Sequence, residues 1–199
     1  MSRPLYVSFY TVGNGYELEA AGLVRTLVAL GLPHVVTGLA QAPSGMPWTW
    51  RSANLYKADF IRDMQHAHPD RRIVWIDSDA RVIQRPRMFD WLSCDVAAHW
   101  YRGREMLAGT LFFAPGKAGR SVVTAWIERN RAQPNRLRVD QPNLMDVIEA
   151  RRDLRIVNLP PEYAWIDAGS GNDLSMRGYG RRHPVIQHRQ ASRRLKRRP

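Results

Sequence analysis

The chain has 199 residues, with 30 Lys and Arg against 18 Asp and Glu, a formal net charge of +12 and a sequence pI near 10.8. That length suits one domain with a sizeable core, and 44% hydrophobic with 24% charged residues excludes wholesale disorder. The longest apolar stretch, Leu23–Leu32, is broken by Arg25 and Thr26 and is too short to cross a bilayer. The single Cys94 excludes an internal disulfide framework or a Cys-rich metal centre.

In chain order, Pro4–Tyr10 alternates Leu5, Val7 and Phe9 with Tyr6, Ser8 and Tyr10 and predicts a buried strand. It runs into Thr11-Val12-Gly13-Asn14-Gly15, where two glycines permit positive φ or close approach of backbone to a ligand. Glu17–Leu30 has helical spacing, with Gly31 placed as its C-terminal cap. Val35, Val36 and Leu39 predict a second strand, and Pro43–Trp50 a loop rich in Pro, Gly and Trp. Ala53–Gln65 is helical again. Ile73-Val74-Trp75-Ile76 predicts a third strand, Ala80–Ile83 a short one, and Asp95–Trp100 and Leu107–Phe113 two more. Helices are expected over Arg120–Asn130 and Gln141–Ala150, then strands at Leu154–Leu159 and Val185–Gln187. Strands alternating with helices, then a strand-rich second half, predict an α/β fold with a mixed sheet flanked by helices. The expected organisation is one domain over 1–188 followed by a basic tail over 189–199.

The sharpest local feature is Asp77-Ser78-Asp79. An apolar strand delivers two carboxylates, at i and i+2, into a turn at its C-terminal edge. Ligands of open α/β sheets bind at that edge. Two hard oxygen ligands there suit Mg2+ or Mn2+, which would neutralise a diphosphate. A plain Asx-turn is the competing reading of the same three residues.

The run from the Lys57 helix through R-I-V-W-I-D-S-D-A-R-V resembles the nucleotide-diphospho-sugar transferases of the glycosyltransferase-A fold, with a Rossmann-like sheet. Further stretches match in order. Leu107–Phe113 resembles the N-[ST]-G strand of glycogenin-like enzymes, with Ala108 in place of the usual small polar residue. Val139-Asp140-Gln141-Pro142-Asn143 resembles the family's D-Q at a helix start, and Val185-Ile186-Gln187-His188 its late metal-binding strand.

The resemblance implies a metal-dependent glycosyltransferase moving a sugar from a nucleotide-diphosphate donor, with a UDP-sugar expected, to a hydroxyl acceptor. Asp77 would contact the donor and, with Asp79 and His188, hold Mn2+ or Mg2+. The loop Thr11–Tyr16, through Thr11, Gly13, Asn14 and Tyr16, would hold base and ribose. Lys57, Ser78 and Gly109 would face the donor as well. Asp140 and Gln141 would lie beside the transferred sugar, and Asp140 is also expected to cap its helix. An inverting enzyme would need one carboxylate of the Pro/Gly-rich stretch after Leu159 to deprotonate the acceptor. Glu162, Asp167 and Asp173 are the choices, with Asp167 carried as the catalytic candidate.

Two other readings compete. A haloacid-dehalogenase-type phosphohydrolase also places D-x-D after an apolar strand, but nearer the N-terminus and with Thr or Val where Arg81 stands here. A non-catalytic nucleic-acid-binding protein would explain the charge, yet no helix-turn-helix, zinc-finger or RNP signature is present. The charge is also uneven. Nine basic residues and no acid lie between Arg177 and Pro199, which leaves residues 1–176 with a net +3. A basic arm of that kind suits a polyanionic acceptor, DNA with hydroxymethylated bases (as in phage DNA modification) before a lipid-linked glycan or polysaccharide. A cytoplasmic setting, bacterial or phage-infected, is the matching expectation, since MSRPLYVSFY is too short and polar for a signal peptide.

Overall fold

Every residue of Leu5–Thr11 (β1) except Tyr10, and all of Ile73–Ile76 (β3), is buried in the computed structural model, which describes residues 2–132, 139–166 and 183–191. Strands apolar on both faces need cover on both, and helices supply it. After β1 comes α1 (Tyr16–Ala29), then β2 (His34–Leu39), α2 (Trp50–Ala67), β3 and β4 (Ala80–Val82). The second half holds β5 (Val96–Tyr101), β6 (Glu105–Phe113), α3 (Lys117–Ala132), α4 (Asp140–Glu149), β7 (Ile156–Asn158), β8 (Trp165–Ile166) and β9 (Ile186–His188).

Six strands form one sheet in the order β2-β1-β3-β6-β5-β7. β1 pairs parallel with β2 and β3, β6 runs antiparallel to both β3 and β5, and β7 is parallel to β5. The sheet separates two apolar layers. On one face Phe9, Phe60, Trp75, Phe113 and Trp126 pack with α2, α3 and α4. On the other, Tyr6, Phe89 and Phe112 pack with Leu23 and Leu27 of α1. A second, three-stranded sheet, β4-β9-β8, lies against α1 through β4. This is the mixed α/β arrangement expected from the sequence.

The helix ends show how local chemistry sets the boundaries. Gly31, at φ 58°, follows α1 and its N–H donates to the Val28 carbonyl at 2.9 Å, while Leu32 N–H reaches the Leu27 carbonyl at 2.9 Å. That is a Schellman ending. Helix α2 starts three residues before the expected Ala53 because Thr49 and Ser52 form a reciprocal capping box, each side chain accepting the other's backbone N–H at 3.0 and 2.9 Å. Helix α4 corrects one expectation. Val139 is its cap residue, no side chain caps it, and Asp140 is its first helical residue, with its carboxylate committed elsewhere. The two-residue β8 had no sequence signal of its own, since pairing with β9 alone defines it.

Cys94 is buried, and burial, reinforced by the charge of Asp95, pushes its thiol up to about 11, which leaves it unreactive. Phe89 is fully buried, with its ring stacked on Phe112 at 5.9 Å and edge-on to Tyr163 at 5.1 Å. Phe89→Ala is expected to cost about 3–5 kcal/mol of unfolding free energy, read from urea denaturation. A loss below about 1 kcal/mol would mean that this layer repacks freely.

Candidate active site

The C-terminal ends of β1 and β3 open into one cleft of about 360 Å³. β1 and the turn after it supply Thr11, Asn14 and Tyr16, and the turn after β3 supplies Asp77, Ser78 and Asp79. Sheet direction changes next to this point, because β3 has a parallel neighbour on one side and antiparallel β6 on the other. A crevice beyond strand ends at such a switch is where α/β proteins bind ligands.

In the first turn, Gly13 and Gly15 hold φ of 88° and 87°, the positive values the two glycines were expected to allow. The Asn14 amide donates to the Thr11 hydroxyl, and Gly13 N–H donates to the Glu17 carboxylate, whose pKa that bond lowers. Opposite lies an aromatic wall that the sequence reading did not assign to the site. Phe9 stacks on Trp48 at 5.9 Å and approaches Trp75 at 5.6 Å, and Trp50 lies half exposed at the mouth. The Trp48 indole is fixed by donation to the Leu39 carbonyl at 3.0 Å. The Trp-rich composition of Pro43–Trp50 was the available signal, hidden because the segment reads simply as a loop.

At the base of the cleft, Lys57 is only 5% exposed. Its ammonium lies 2.7 Å from Asp140 Oδ2 and 3.1 Å from Asp77 Oδ1, donates to the Ala108 carbonyl at 3.3 Å, and stands 5.3 Å from the Trp75 ring centre. Burial alone would lower its pKa. The carboxylates of Asp140 and then Asp77 outweigh that and raise it above the ordinary lysine value. The Trp75 indole N–H also donates to Asp77 Oδ1, at 2.8 Å. A register break gives β6 its part. Ala97 pairs with Phe112 and His99 with Leu107, so β6 bulges between Leu107 and Phe112. The bulge frees Ala108 to use both backbone groups, its carbonyl for Lys57 and its N–H for Gln141 Oε1 at 3.2 Å. The Ala108 side chain faces the core, so its departure from the resembling motif removes no group from the cleft.

Asp77, Asp79 and His188 form the third element, with one ligand atom from each within 4.8 Å of the others. His188 comes from β9, in register with Ala80 of β4. Its Nε2 lies 2.9 Å from the Thr110 hydroxyl and its Nδ1 4.0 Å from Asp79 Oδ1. Burial lowers the imidazole pKa against the opposing pull of Asp77 and Asp79. The tautomer that donates from Nε2 to Thr110 leaves the Nδ1 lone pair facing the carboxylate. Asp79 Oδ2 accepts from Ala191 N–H at 2.7 Å, and burial, with the charge of Asp77, raises its pKa. Two carboxylates and one neutral imidazole fit Mn2+ or Mg2+ as a donor set.

Of the residues singled out by sequence, Thr11, Asn14, Tyr16, Lys57, Asp77, Ser78 and Asp79 line the cleft. Asp140 meets Lys57, and His188 meets Asp79, from behind. Gly109 lies under the His188 ring, where a Cβ would sit 2.9 Å from Cε1 and 3.0 Å from Nδ1, and its carbonyl accepts from Asp77 N–H at 2.9 Å. Gln141 Nε2 points to Glu105 Oε1 at 3.3 Å. Gly13 holds the turn rather than lining the cleft. Glu162 is the middle residue of a short 3-10 turn, Pro161–Tyr163, whereas Asp167 and Asp173 lie outside the described residues.

Solved structures carry the same fold. A glycosyltransferase involved in the glycosylation of the major capsid of PBCV-1 matches with a TM-score of 0.71, at 13% identity, over 98% of this chain and 99% of that one. The apo form of the glycosyltransferase GlyE from Streptococcus pneumoniae TIGR4 matches at 0.62 and 14% identity, and a second GlyE structure at 0.51 and 15%. This chain spans about half of GlyE, 54% and 55% of the two chains. No protein-family model matches the sequence, and no curated protein matches it. The six-stranded mixed sheet and its helices are therefore a glycosyltransferase fold.

The Lys57–Asp140 contact generates a stability test. Lys57→Met would strand a 4% exposed carboxylate, at an expected cost of about 3–5 kcal/mol by urea unfolding at pH 7. The sign of the pH dependence follows from the raised lysine pKa. The pair's contribution is complete below the unfolded value, about 10.4, and is lost as pH rises through the higher folded one. Lys57 titration should therefore leave wild-type stability unchanged up to about pH 10.

Proposed function

We propose that this chain is a metal-dependent glycosyltransferase that transfers a sugar from a nucleotide-diphosphate donor, a UDP-sugar first among them, to a hydroxyl acceptor. The observation carrying this reading is the Asp77–Asp79–His188 group, set at the edge of a deep cleft on a glycosyltransferase fold. Fold alone does not fix activity, so the reading rests on the chemistry at these positions.

Each residue takes a role that its surroundings support. Thr11, Asn14 and Tyr16, facing Trp48 and Trp50, bind base and ribose, offering polar groups on one side and ring faces on the other. Asp77, Asp79 and His188 would hold Mn2+ or Mg2+. A divalent cation there supplies positive charge opposite the nucleoside diphosphate as it departs. Lys57 keeps its proton and, held by Asp140 behind it, fixes Asp77 in a constant orientation toward the donor. Asp140, carried at the start of α4, orients Lys57 from behind the cleft beside the transferred sugar, and Gln141 braces the strand next to it. Gly109 gives His188 room, and Ser78 holds the turn between the two aspartates. The bond from the sugar's anomeric carbon to the diphosphate breaks, one to the acceptor oxygen forms, and the acceptor's proton passes to a base, for which Asp167 is our candidate.

For the acceptor we favour a polyanion, with hydroxymethylated DNA as the first substrate to try. The charged residues lining the cleft are Asp77, Asp79 and Lys57, so the chain's basic excess is not gathered around the donor. The described chain ends at Ala191, hydrogen-bonded to Asp79, and Arg193, Arg194, Lys196, Arg197 and Arg198 follow it directly in sequence. Such a placement suits an arm that meets an acidic acceptor at the site. The PBCV-1 neighbour is involved in glycosylating a capsid, so the fold leaves the acceptor class to be set by features such as this.

With Mn2+ present, the purified protein is expected to hydrolyse or transfer from a UDP-sugar, and EDTA to abolish the reaction. Asp79→Asn should lower the rate by about 10²–10³. Inactivity and lack of binding with every common UDP- and GDP-sugar would overturn the reading. Hydroxymethylated duplex, incubated with a sugar-nucleotide pool, digested and weighed, should gain a hexose mass. An unchanged mass with activity on a lipid-linked or polysaccharide glycan would move the acceptor to that class.

A further inference from the structure

His188 sits on a small sheet that is not continuous with the large one, and Asp79 lies in the turn that leads into it, so the position of this sheet sets both. Ala80, Val82 and Ile186 pack in the apolar layer with Leu23 and Leu27 of α1, and polar contacts to the same helix add to this. Arg81 of β4 donates from Nη1 to the Glu19 carbonyl at 3.0 Å and to the Ala80 carbonyl at 2.7 Å, and from Nη2 to Glu19 Oε2 at 2.9 Å. Both side chains are largely covered, at 15% and 16% exposure. Arg189, next to His188, brings a guanidinium nitrogen within 3.8 Å of the same Glu19 oxygen. One carboxylate thus faces basic groups on both strands that flank the cation group. The Thr26 hydroxyl adds a second tie, accepting Val82 N–H at 3.1 Å.

The sequence is adapted to this contact. A Cβ on Gly22 of α1 would lie 2.1 Å from Arg81 Nη2 and 2.2 Å from Cζ. The guanidinium occupies the space that any other residue at position 22 would fill. Glycine inside a helix costs roughly 0.5–1 kcal/mol relative to alanine, so its presence here has a packing reason. Helix α1 also begins directly after the turn Thr11–Gly15, so one rigid element joins the nucleotide side of the cleft to the cation side.

We infer that Glu19 and Arg81 are positioning residues that hold Asp79 and His188 at the spacing a divalent cation needs. The inference rests on the cation reading of the preceding section. It acts through backbone: Ala80 follows Asp79 and pairs with His188, while Asp79 itself accepts the N–H groups of Arg189 and Ala191. Loosening Arg81 releases β4, and with it the register that sets one ligand opposite the other.

Gly22→Ala tests this without removing a charge, since the new methyl group displaces only the flexible end of Arg81. Glu19→Ala is the second variant. Gly22→Ala should stay folded with a melting temperature lowered by a few degrees, because displacing the largely covered Arg81 guanidinium from Glu19 outweighs what Ala adds to the helix. Mn2+ affinity, measured by calorimetry on the full chain, should fall about tenfold in both variants. In metal-free protein, hydrogen exchange over residues 183–191 should quicken in both, a readout independent of any cation. Exchange and affinity equal to wild type in Gly22→Ala would overturn the inference, as would global unfolding of both variants. A wild-type protein that binds no Mn2+ would overturn the cation reading instead, with exchange alone then deciding the positioning role.

Discussion

A buried ammonium is expensive, and the site depends on the way Lys57 is compensated. Desolvation favours the neutral amine, yet contacts of 2.7 and 3.1 Å to Asp140 and Asp77 hold the charge in place. Those contacts join four separate elements: α2 through Lys57, the end of β3 through Asp77, the bulge of β6 through Ala108, and the start of α4 through Asp140. Removing any partner leaves a charge uncompensated in a poorly solvated place. The cluster is therefore held together by mutual need, which is how carboxylates brought from distant parts of the chain keep fixed directions.

The same cluster shows what remains unbalanced. Asp77, Asp79 and Asp140 are three carboxylates, and Lys57 is the ammonium among them. Their surplus negative charge is what a bound divalent cation would match, and the neutral His188 adds a ligand without adding charge. The rings of Phe9, Trp48 and Trp75 give the cleft its apolar wall. An acidic pocket with an apolar wall suits a ligand that has a flat base at one end and a metal-bound diphosphate at the other.

The sequence reading reached the parts that local chemistry governs. An apolar strand ending in Asp-Ser-Asp and a glycine-rich turn after β1 are both written within ten residues, and the strands and helices follow the expected order. The parts it missed are set by contacts across long stretches of chain. Asp140 reads as a helix cap because Asp at a helix start usually is one, and the buried Lys57 that claims its carboxylate lies two helices away. Gly109 reads as a donor-facing residue, and the room it leaves for the His188 ring is a second reason for glycine there that local sequence does not show. Gly22 and Arg81 follow the same pattern: a glycine is needed where another segment's side chain must lie, and no periodicity reports that.

The chain's charge and its site have opposite signs, and this separates two tasks that a basic whole-chain number would merge. A donor that arrives with a metal is recognised by carboxylates, and a uniformly basic surface around them would compete for its phosphates. Placing the nine basic residues from Arg177 onward keeps residues 1–176 near balance, at a net +3. Within it, the described residues Arg189 and Ala191 reach the site: Ala191 N–H donates to Asp79 and Arg189 faces Glu19. If the proposed acceptor is a polyanion, its attraction would act next to β9, the strand that carries His188 of the proposed cation group. Recruitment and chemistry would then share a single support, β9, and a change at its end should be felt by both.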